Sequence, residues 1–248
     1  MLLQLLPKTD PRFKKWKESL KKRPPPWCAG FTKDTHPSVA KISDTFKRKG
    51  IDNFAKWRRK HKPPYTSLVK NGDLAELIGV IWGDGSIHEF QRTEGLDIAS
   101  NSENKGFIRR YRSLVKRVFG KGPALYKSKK SQCIHIRIYE KYISKRLGIP
   151  TGNRGKKSII VPSWIDRKRE YVIRFLRGLY EAEGSFNIHL PTCTYKFIFT
   201  NRNKSLLNAV EKRLKRLGFH PHYSWYKMQL SRKNEVFACK KLIKFREY

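Results

Sequence analysis

Two stretches decide the fold: residues 76–88, ELIGVIWGDGSIH, and residues 175–188, FLRGLYEAEGSFNI. Each starts as an apolar helical run, ends on an acid followed by Gly and Ser, and continues with the alternation of a strand. Asp84-Gly85-Ser86-Ile87 and Glu183-Gly184-Ser185-Phe186 lie 99 residues apart, which reads as an internal duplication. The acids are also misplaced. A helix C-terminus carries a partial negative charge, so a carboxylate there is unfavourable by about 0.3–1 kcal/mol unless something positive sits beside it.

Working outward, the same order of elements is read twice. A helix over 73–84 leads to strands near 86–90 and 96–100, a helix over 103–119, strands near 124–129 and 133–139, and a short helix over 140–147. The second pass gives a helix over 170–183, strands near 185–190 and 195–200, a helix over 204–217, strands near 222–226 and 227–231, and a helix over 234–244. Details recur too, SNSENK at 100–105 against TNRNK at 200–204. The fold class is therefore α+β, with two pseudo-symmetric αββαββα repeats over residues 68–168 and 169–248. Each repeat lays four antiparallel strands on a helical layer and leaves one sheet face open. In CIHIRIYE, Ile134, Ile136 and Ile138 should face the helices, while His135, Arg137 and Tyr139 point outward.

The charge names the partner class. The chain has 248 residues, with 56 Lys and Arg against 20 Asp and Glu, a net charge of +36. Such a surface repels itself unless a polyanion neutralises it, and nucleic acid is the first candidate. Residues 1–67 contribute +13 and the remainder +23, so both parts should touch the polyanion. Within residues 1–67, Pro-rich breaks bracket SVAKISDTFKRKGIDNFAKWRRKHK, residues 38–62. This reads as two short helices around Gly50, the second bearing Lys56, Arg58 and Arg59. Either a helix-turn-helix or a plain basic hairpin has this pattern, and both would lie along phosphates.

Four cysteines, Cys28, Cys133, Cys193 and Cys239, are widely spaced and form no C-x-x-C pair, so zinc-knuckle and thiol-redox chemistry are not indicated and a reducing, intracellular setting is expected. The apolar run in MLLQLLPK is too short for a membrane span and reads as a packing segment. Seven histidines give no metal spacing, and no G-x-x-x-x-G-K-[ST] loop signals ATP use.

LIGVIWGDG (77–85) and LRGLYEAEG (176–184) resemble two degenerate copies of the LAGLIDADG signature, and residues 70–248 resemble a single-chain LAGLIDADG homing endonuclease. The motif has its own physics. Gly79 and Gly83 form a small-residue stripe, and Gly178 and Ala182 form its counterpart; small residues four apart on a helix let two backbones approach closely. If those faces pack together, Asp84 and Glu183 meet at the pseudo-twofold interface, where they repel unless a divalent cation lies between them. Oxygen ligands without His or Cys suit Mg²⁺, with Mn²⁺ or Ca²⁺ able to substitute for binding. Glu183 is equivalent to Asp84 and is the ligand of the second copy, as the last acid is in the family, whereas Glu181 matches Trp82 and reads as structural.

The resemblance implies a saddle of two sheets over a long asymmetric double-stranded DNA site, one carboxylate serving each strand, short 3′ overhangs, and a monomer. It places Gly83 and Ala182 at the metal site beside the acids. It also implies a catalytic cation after the last strand of each repeat, for which Lys141, Arg232 and Lys233 are the candidates by position. On the outward faces His88, His135, Arg137, Asn187, His189, Lys196 and Gln229 are candidates for DNA contact, although YKFIFT (195–200) can be phased either way. The alternative on the same scaffold is a non-catalytic RNA-binding splicing maturase.

Overall fold

The computed structural model describes residues 9–53, 66–128, 131–155 and 157–248. The chain divides into two compact units, residues 1–64 and 65–248. Among the described residues no helix is long and apolar enough to cross a membrane, and all four cysteines are free.

In the first unit, helix α1 spans Pro11–Lys21 and α2 spans Pro37–Arg48. Helix α1 was not expected, although its signal is present: Asp10 accepts from Arg12 N and Pro11 opens the helix, a favourable cap followed by a favourable first residue. Helix α2 ends at Arg48, with Lys49 as its cap, before Gly50 at φ 61°. The MLLQLLPK segment and the basic half of the expected hairpin, with Lys56, Arg58 and Arg59, lie outside the described residues.

The second unit has the doubled architecture. Its first repeat runs α3 (Gly72–Asp84), β1 (Gly85–Glu89), β2 (Glu94–Asn101), α4 (Lys105–Phe119), β3 (Ala124–Lys127), β4 (Cys133–Glu140) and α5 (Ile143–Leu147). The second runs α6 (Arg169–Glu183), β5 (Gly184–His189), β6 (Thr194–Thr200), α7 (Lys204–Arg216), β7 (His222–Ser224), β8 (Lys227–Leu230) and α8 (Lys233–Ile243). Each repeat forms an antiparallel four-stranded sheet, in the order β1-β2-β4-β3 and β5-β6-β8-β7. Strand β7 is shorter than expected because Trp225, at φ 54°, turns the chain before Tyr226.

The register sorts the side chains as their alternation demands. Leu96, Ile98, Ile136 and Ile138 are buried against the helices, and Ser86, Asp97 and Arg137 form one cross-strand row on the other face. In the second sheet Phe197, Phe199, Met228 and Leu230 are buried. That fixes the phase of YKFIFT: Lys196 lies outward, opposite Asn187.

One hydrophobic core runs through both repeats, and α3 and α6 form its centre. A Cβ on Gly178 would overlap Glu76 O and stand 2.7 Å from Val80 N; one on Gly79 would overlap Phe175 O. The two backbones therefore touch without side chains between them. The flank of this crossing is charged. Glu76 is fully buried and is held by Arg110 at 2.6 Å, Arg174 at 2.6 Å and Arg177 at 3.7 Å, while Asp73 pairs with Arg117 at 2.6 Å and with Arg174. Glu181 is buried as well, accepting from Arg246 N at 2.7 Å and from the Tyr248 hydroxyl. The structural role expected for Glu181 agrees with these contacts.

Gly178→Ala should lower unfolding free energy by about 3 kcal/mol or more, because the methyl group has only backbone to displace. Gly122→Ala, where a Cβ meets nothing within 4 Å, should stay within about 0.5 kcal/mol. Urea denaturation of the two variants checks the contrast; equal midpoints would contradict the backbone contact.

Candidate metal and nucleic-acid site

Asp84 is the last residue of α3 and Glu183 the last of α6, and each helix passes into its strand with no loop between. The following glycines are extended, Gly85 at φ −94°, ψ 157° and Gly184 at φ −88°, ψ 148°, so neither serves as a left-handed helix cap. Their need for no side chain is steric. A Cβ on Gly85 would stand 2.6 Å from Ile81 Cα, and one on Gly184 would overlap Tyr180 O. Across the helix pair, a Cβ on Gly83 would overlap that of Ala182 and stand 3.1 Å from Glu183 Cγ. The small-residue stripes thus bring the two helix ends, with their acids, against each other.

Both carboxyls resist ionisation. Burial, followed by the charge of Glu183, pushes Asp84 up from 3.8 to about 7. Burial also raises Glu183, an effect opposed by Asn201, whose Nδ2 donates to Oε1 at 3.2 Å. Among the described residues no group of three or more His, Cys, Asp or Glu side chains assembles into a metal cluster. The donor set is two half-buried carboxylates with neighbouring backbone carbonyls. Such a set fits a hard cation that keeps waters and takes its other ligands from phosphate, and a cation would relieve the repulsion that raises Asp84.

Two residues at this site were missed in the sequence. Asn201 is the second residue of the TNRNK segment, one residue past β6, and its repeat-mate Asn101 closes β2; the recurrence of SNSENK as TNRNK was the available signal. Arg154 comes from the segment joining the repeats. Its Nη2 donates to Ile81 O at 3.1 Å and to Gly85 O, and its guanidinium lies 5.2 Å from the Trp82 ring centre. A cation at the C-terminal end of α3 offsets the helix dipole there.

The basic candidates fall elsewhere. Strand β4 pairs with β2 so that Cys133 faces Asn101 and Glu140 faces Glu94. It therefore starts at the acid end and finishes at the β1–β2 hairpin. Lys141 lies beside Glu89–Glu94, about 15 Å along the sheet from Asp84 for a five-residue strand. In the second repeat Leu230 pairs with Phe197 and Lys227 with Thr200, so β8 also runs away from the acids. Arg232 is engaged by Glu235 at 3.1 Å, and Lys233 Nζ lies 5.1 Å from the Tyr195 ring centre. The structure does not bring Lys141, Arg232 or Lys233 to Asp84 and Glu183, because a strand that starts at the helix end must finish at the opposite one. Lys227 is the cation that begins β8 at the acid end.

The outward residues are more tied down than their exposure pattern implied. Asp97, only 5% exposed, accepts from Arg137 Nε at 3.0 Å and Nη2 at 2.5 Å and pairs with His135 Nδ1 at 3.0 Å. Arg137 therefore reaches a partner as one edge of a fixed cluster. His88 bonds Ser86 at 3.0 Å, Asn187 Nδ2 donates to Ser185 at 3.4 Å, His189 bonds Thr192 at 2.7 Å, and Gln229 Nε2 donates to Ser231 at 2.7 Å. His88, Asn187 and His189 are exposed and Gln229 half-buried, on or beside the open sheet faces.

Residues 170–235 match the family model described as a LAGLIDADG-like domain. No curated protein gives a significant match. Among solved structures, the chain is similar to variants of the homing endonuclease I-DmoI, at TM-score 0.50 and 20% identity over 69% of this chain and 94% of that one. I-DmoI in complex with DNA and Ca matches at TM-score 0.48 and 20% identity, covering 69% and 88% of the two chains. Full-length DUF199/WhiA from Thermatoga maritima matches at TM-score 0.50 and 16% identity, covering 72% of this chain and 58% of that one. At these identities the likeness is one of fold: two antiparallel four-stranded sheets on a shared helical layer.

The raised Asp84 sets a pH dependence for the metal-free protein. The folded state holds this proton more tightly than the unfolded chain, so the stability it contributes is full below 3.8 and is lost as pH rises through about 7. In chelator, the Tm of Asp84→Asn should gain on that of the unsubstituted protein across this window and hold its lead above it. Adding Mg²⁺ above pH 7 should raise the Tm of the unsubstituted protein more than that of the variant. Parallel pH profiles would contradict the assignment.

Proposed function

With a LAGLIDADG-like domain at residues 170–235 in a doubled fold, we propose that this chain is a site-specific double-stranded DNA endonuclease. The observation that carries the reading is the acid pair itself: two carboxyls forced together by glycine-faced helices, with no cation paired to either among the described residues. Three other acids packed around the same helices, Asp73, Glu76 and Glu181, and Asp97 on the open sheet face take arginine or backbone N–H partners. Asp84 and Glu183 are left for something else.

In this reading Asp84 and Glu183, with the Gly83 and Ala182 carbonyls, hold Mg²⁺, for which Mn²⁺ or Ca²⁺ can substitute in binding. When bound, the divalent ion supplies Lewis acidity toward phosphate oxygens and lowers the pKa of coordinated water. Asp84 must release its carboxyl proton for this, so loading is favoured above about pH 7. Asn201 keeps Glu183 Oε1 oriented. The outward sheet faces lie along the duplex, where Lys196, Asn187, Gln229 and His88 offer hydrogen bonds to bases and phosphates, and the Asp97-held Arg137 and His135 offer a preset donor edge. The unit acts as a monomer, each half addressing one strand of a long asymmetric site.

The second reading is an RNA-binding maturase without cleavage. The observation on its side is a basic face on the helical layer: Lys105, Arg109, Arg112 and Lys116 follow one side of α4 and border a groove of ≈ 770 Å³ with Leu125 and Ile134.

Incubation with Mg²⁺ and a DNA library tests the choice. Site-specific double-strand breaks are expected, and Asp84→Asn or Glu183→Gln should slow them by about 10²–10³-fold or more while binding in Ca²⁺ persists. Tight binding of structured RNA with no cutting of any duplex would sink the nuclease reading in favour of the maturase.

A further inference from the structure

Cysteine spacing offers no redox pair, but the fold gives one thiol a different partner. Cys133 and His135 lie two apart on β4 and so share its outward face. Cys133 Sγ stands 3.4 Å from His135 Nε2, closer than its other acceptor, Ile134 O at 3.9 Å. Across the sheet, His135 Nδ1 meets Asp97 Oδ1 at 3.0 Å, while Arg137 takes Oδ2 of the same carboxylate. An ionised carboxylate only accepts, so the imidazole proton belongs on Nδ1 and the Nε2 lone pair faces the thiol. Tyr126 of β3 flanks the imidazole, ring centre to ring centre at 6.0 Å.

Nucleophile, base and orienting acid thus follow one another in a line, the order that activates a thiol. They do not converge as ligands would, and no metal cluster of three or more His, Cys, Asp or Glu side chains forms among the described residues. Nor does the fold require them. The cross-strand row Ser86–Asp97–Arg137 has its counterpart in Ser185–Ile198–Gln229. Ile198 stands there in place of Asp97, so a sheet of this kind is built without the buried acid. The other thiols lack such a partner. Those of Cys28 and Cys193 make no hydrogen bond among the described residues, and Cys193 is exposed; Cys239 is buried, which pushes its thiol up to about 12.

We propose that Cys133, His135 and Asp97 form a reactive thiol site for small peroxides on the open face of the first sheet, and that its oxidation weakens duplex binding there. The second half rests on the endonuclease reading, which lays this face on DNA. His135 Nε2 takes the thiol proton and the sulfur attacks one peroxide oxygen. The S–O bond forms as the O–O bond breaks, and the departing hydroxide takes the proton from His135 and leaves as water. Sulfur is oxidised to the sulfenic acid and the peroxide is reduced. A second peroxide carries the sulfenic acid to sulfinate, releasing another water, and so places an anion on a surface that meets phosphates. Cys133 is half-buried and the His135 side chain 26% exposed, so the pair is not enclosed, and a reagent the size of water suits it better than a bulky one.

Two thiols of one molecule provide the test. With the full chain in hydrogen peroxide and dimedone, which traps sulfenic acid, peptide mass spectrometry should find Cys133 labelled at least about 10-fold faster than the more exposed Cys193. His135→Gln, shown to be folded by thermal melting, should remove that lead. Labelling that follows exposure, with Cys193 first, overturns the site, and so does an unchanged Cys133 rate in folded His135→Gln. After peroxide alone, binding to sonicated duplex DNA in Ca²⁺ should weaken by at least about threefold, and the loss should be absent in Cys133→Ser. If Cys133 labels first while duplex binding is absent or unaltered by oxidation, the reactive thiol stands and the placement of DNA on this face falls. If binding weakens equally in Cys133→Ser, the link between this thiol and the duplex is overturned.

Discussion

The contact between the α3 and α6 backbones governs everything else. Helices normally approach to about 8–10 Å because side chains keep them apart. Here Gly79 and Gly178 remove that spacing at the crossing, and Gly83 with Ala182 remove it at the ends. The result is not only a packed core but a position: the last residues of two helices are pressed into one place from which neither can withdraw. The strands then leave directly from those residues, so the two sheets inherit their relation to the acids from the helix pair alone.

Electrostatics sorts the acids that this geometry buries. Glu76 and Glu181 sit deep beside the crossing, yet each is hydrogen-bonded, and Glu76 is met by three arginines. An ion pair of this kind adds little net stability over an apolar filling, but losing one partner is costly. The same network therefore penalises any slippage of α3 against α6, since Arg174 and Arg177 of α6 and Arg110 of α4 meet Glu76 of α3 only in one register. Among the described residues Asp84 and Glu183 receive no arginine, and Glu183 has only the Asn201 amide. Their protonation equilibrium moves instead, toward the neutral form, which marks them as groups whose charge is to be balanced by something the chain does not itself supply.

Much of this was legible because a duplicated pattern tests itself. The helix-to-strand transitions at Asp84 and Glu183 and the small-residue stripes each occur twice, and the alternation in CIHIRIYE follows a period set by local geometry. What failed were inferences about distance along a sheet. Lys141, Arg232 and Lys233 follow the last strand of their repeats, and sequence order alone does not say that the last strand finishes opposite the helix ends. Pairings between distant residues were equally hidden: nothing near Asp97 announces that it will bind both Arg137 and His135, forty residues on. Arg154 lay in a Gly- and Lys-rich joining segment whose composition reads as an ordinary solvated loop.

The absence of any loop between helix and strand leaves the chain with no slack at its most exacting point. Gly85 donates its N–H back to Ile81 while already pairing with Ile98 across the sheet, so helical and sheet hydrogen bonding share a residue. One amino acid inserted in the helix ahead of Asp84 would carry the acid roughly 100° around the helix axis. It would also present each following side chain of the strand to the opposite face. Substitutions at this joint are graded by size, but changes of length are all-or-none, and they reach the acid pair and the open sheet face in a single step.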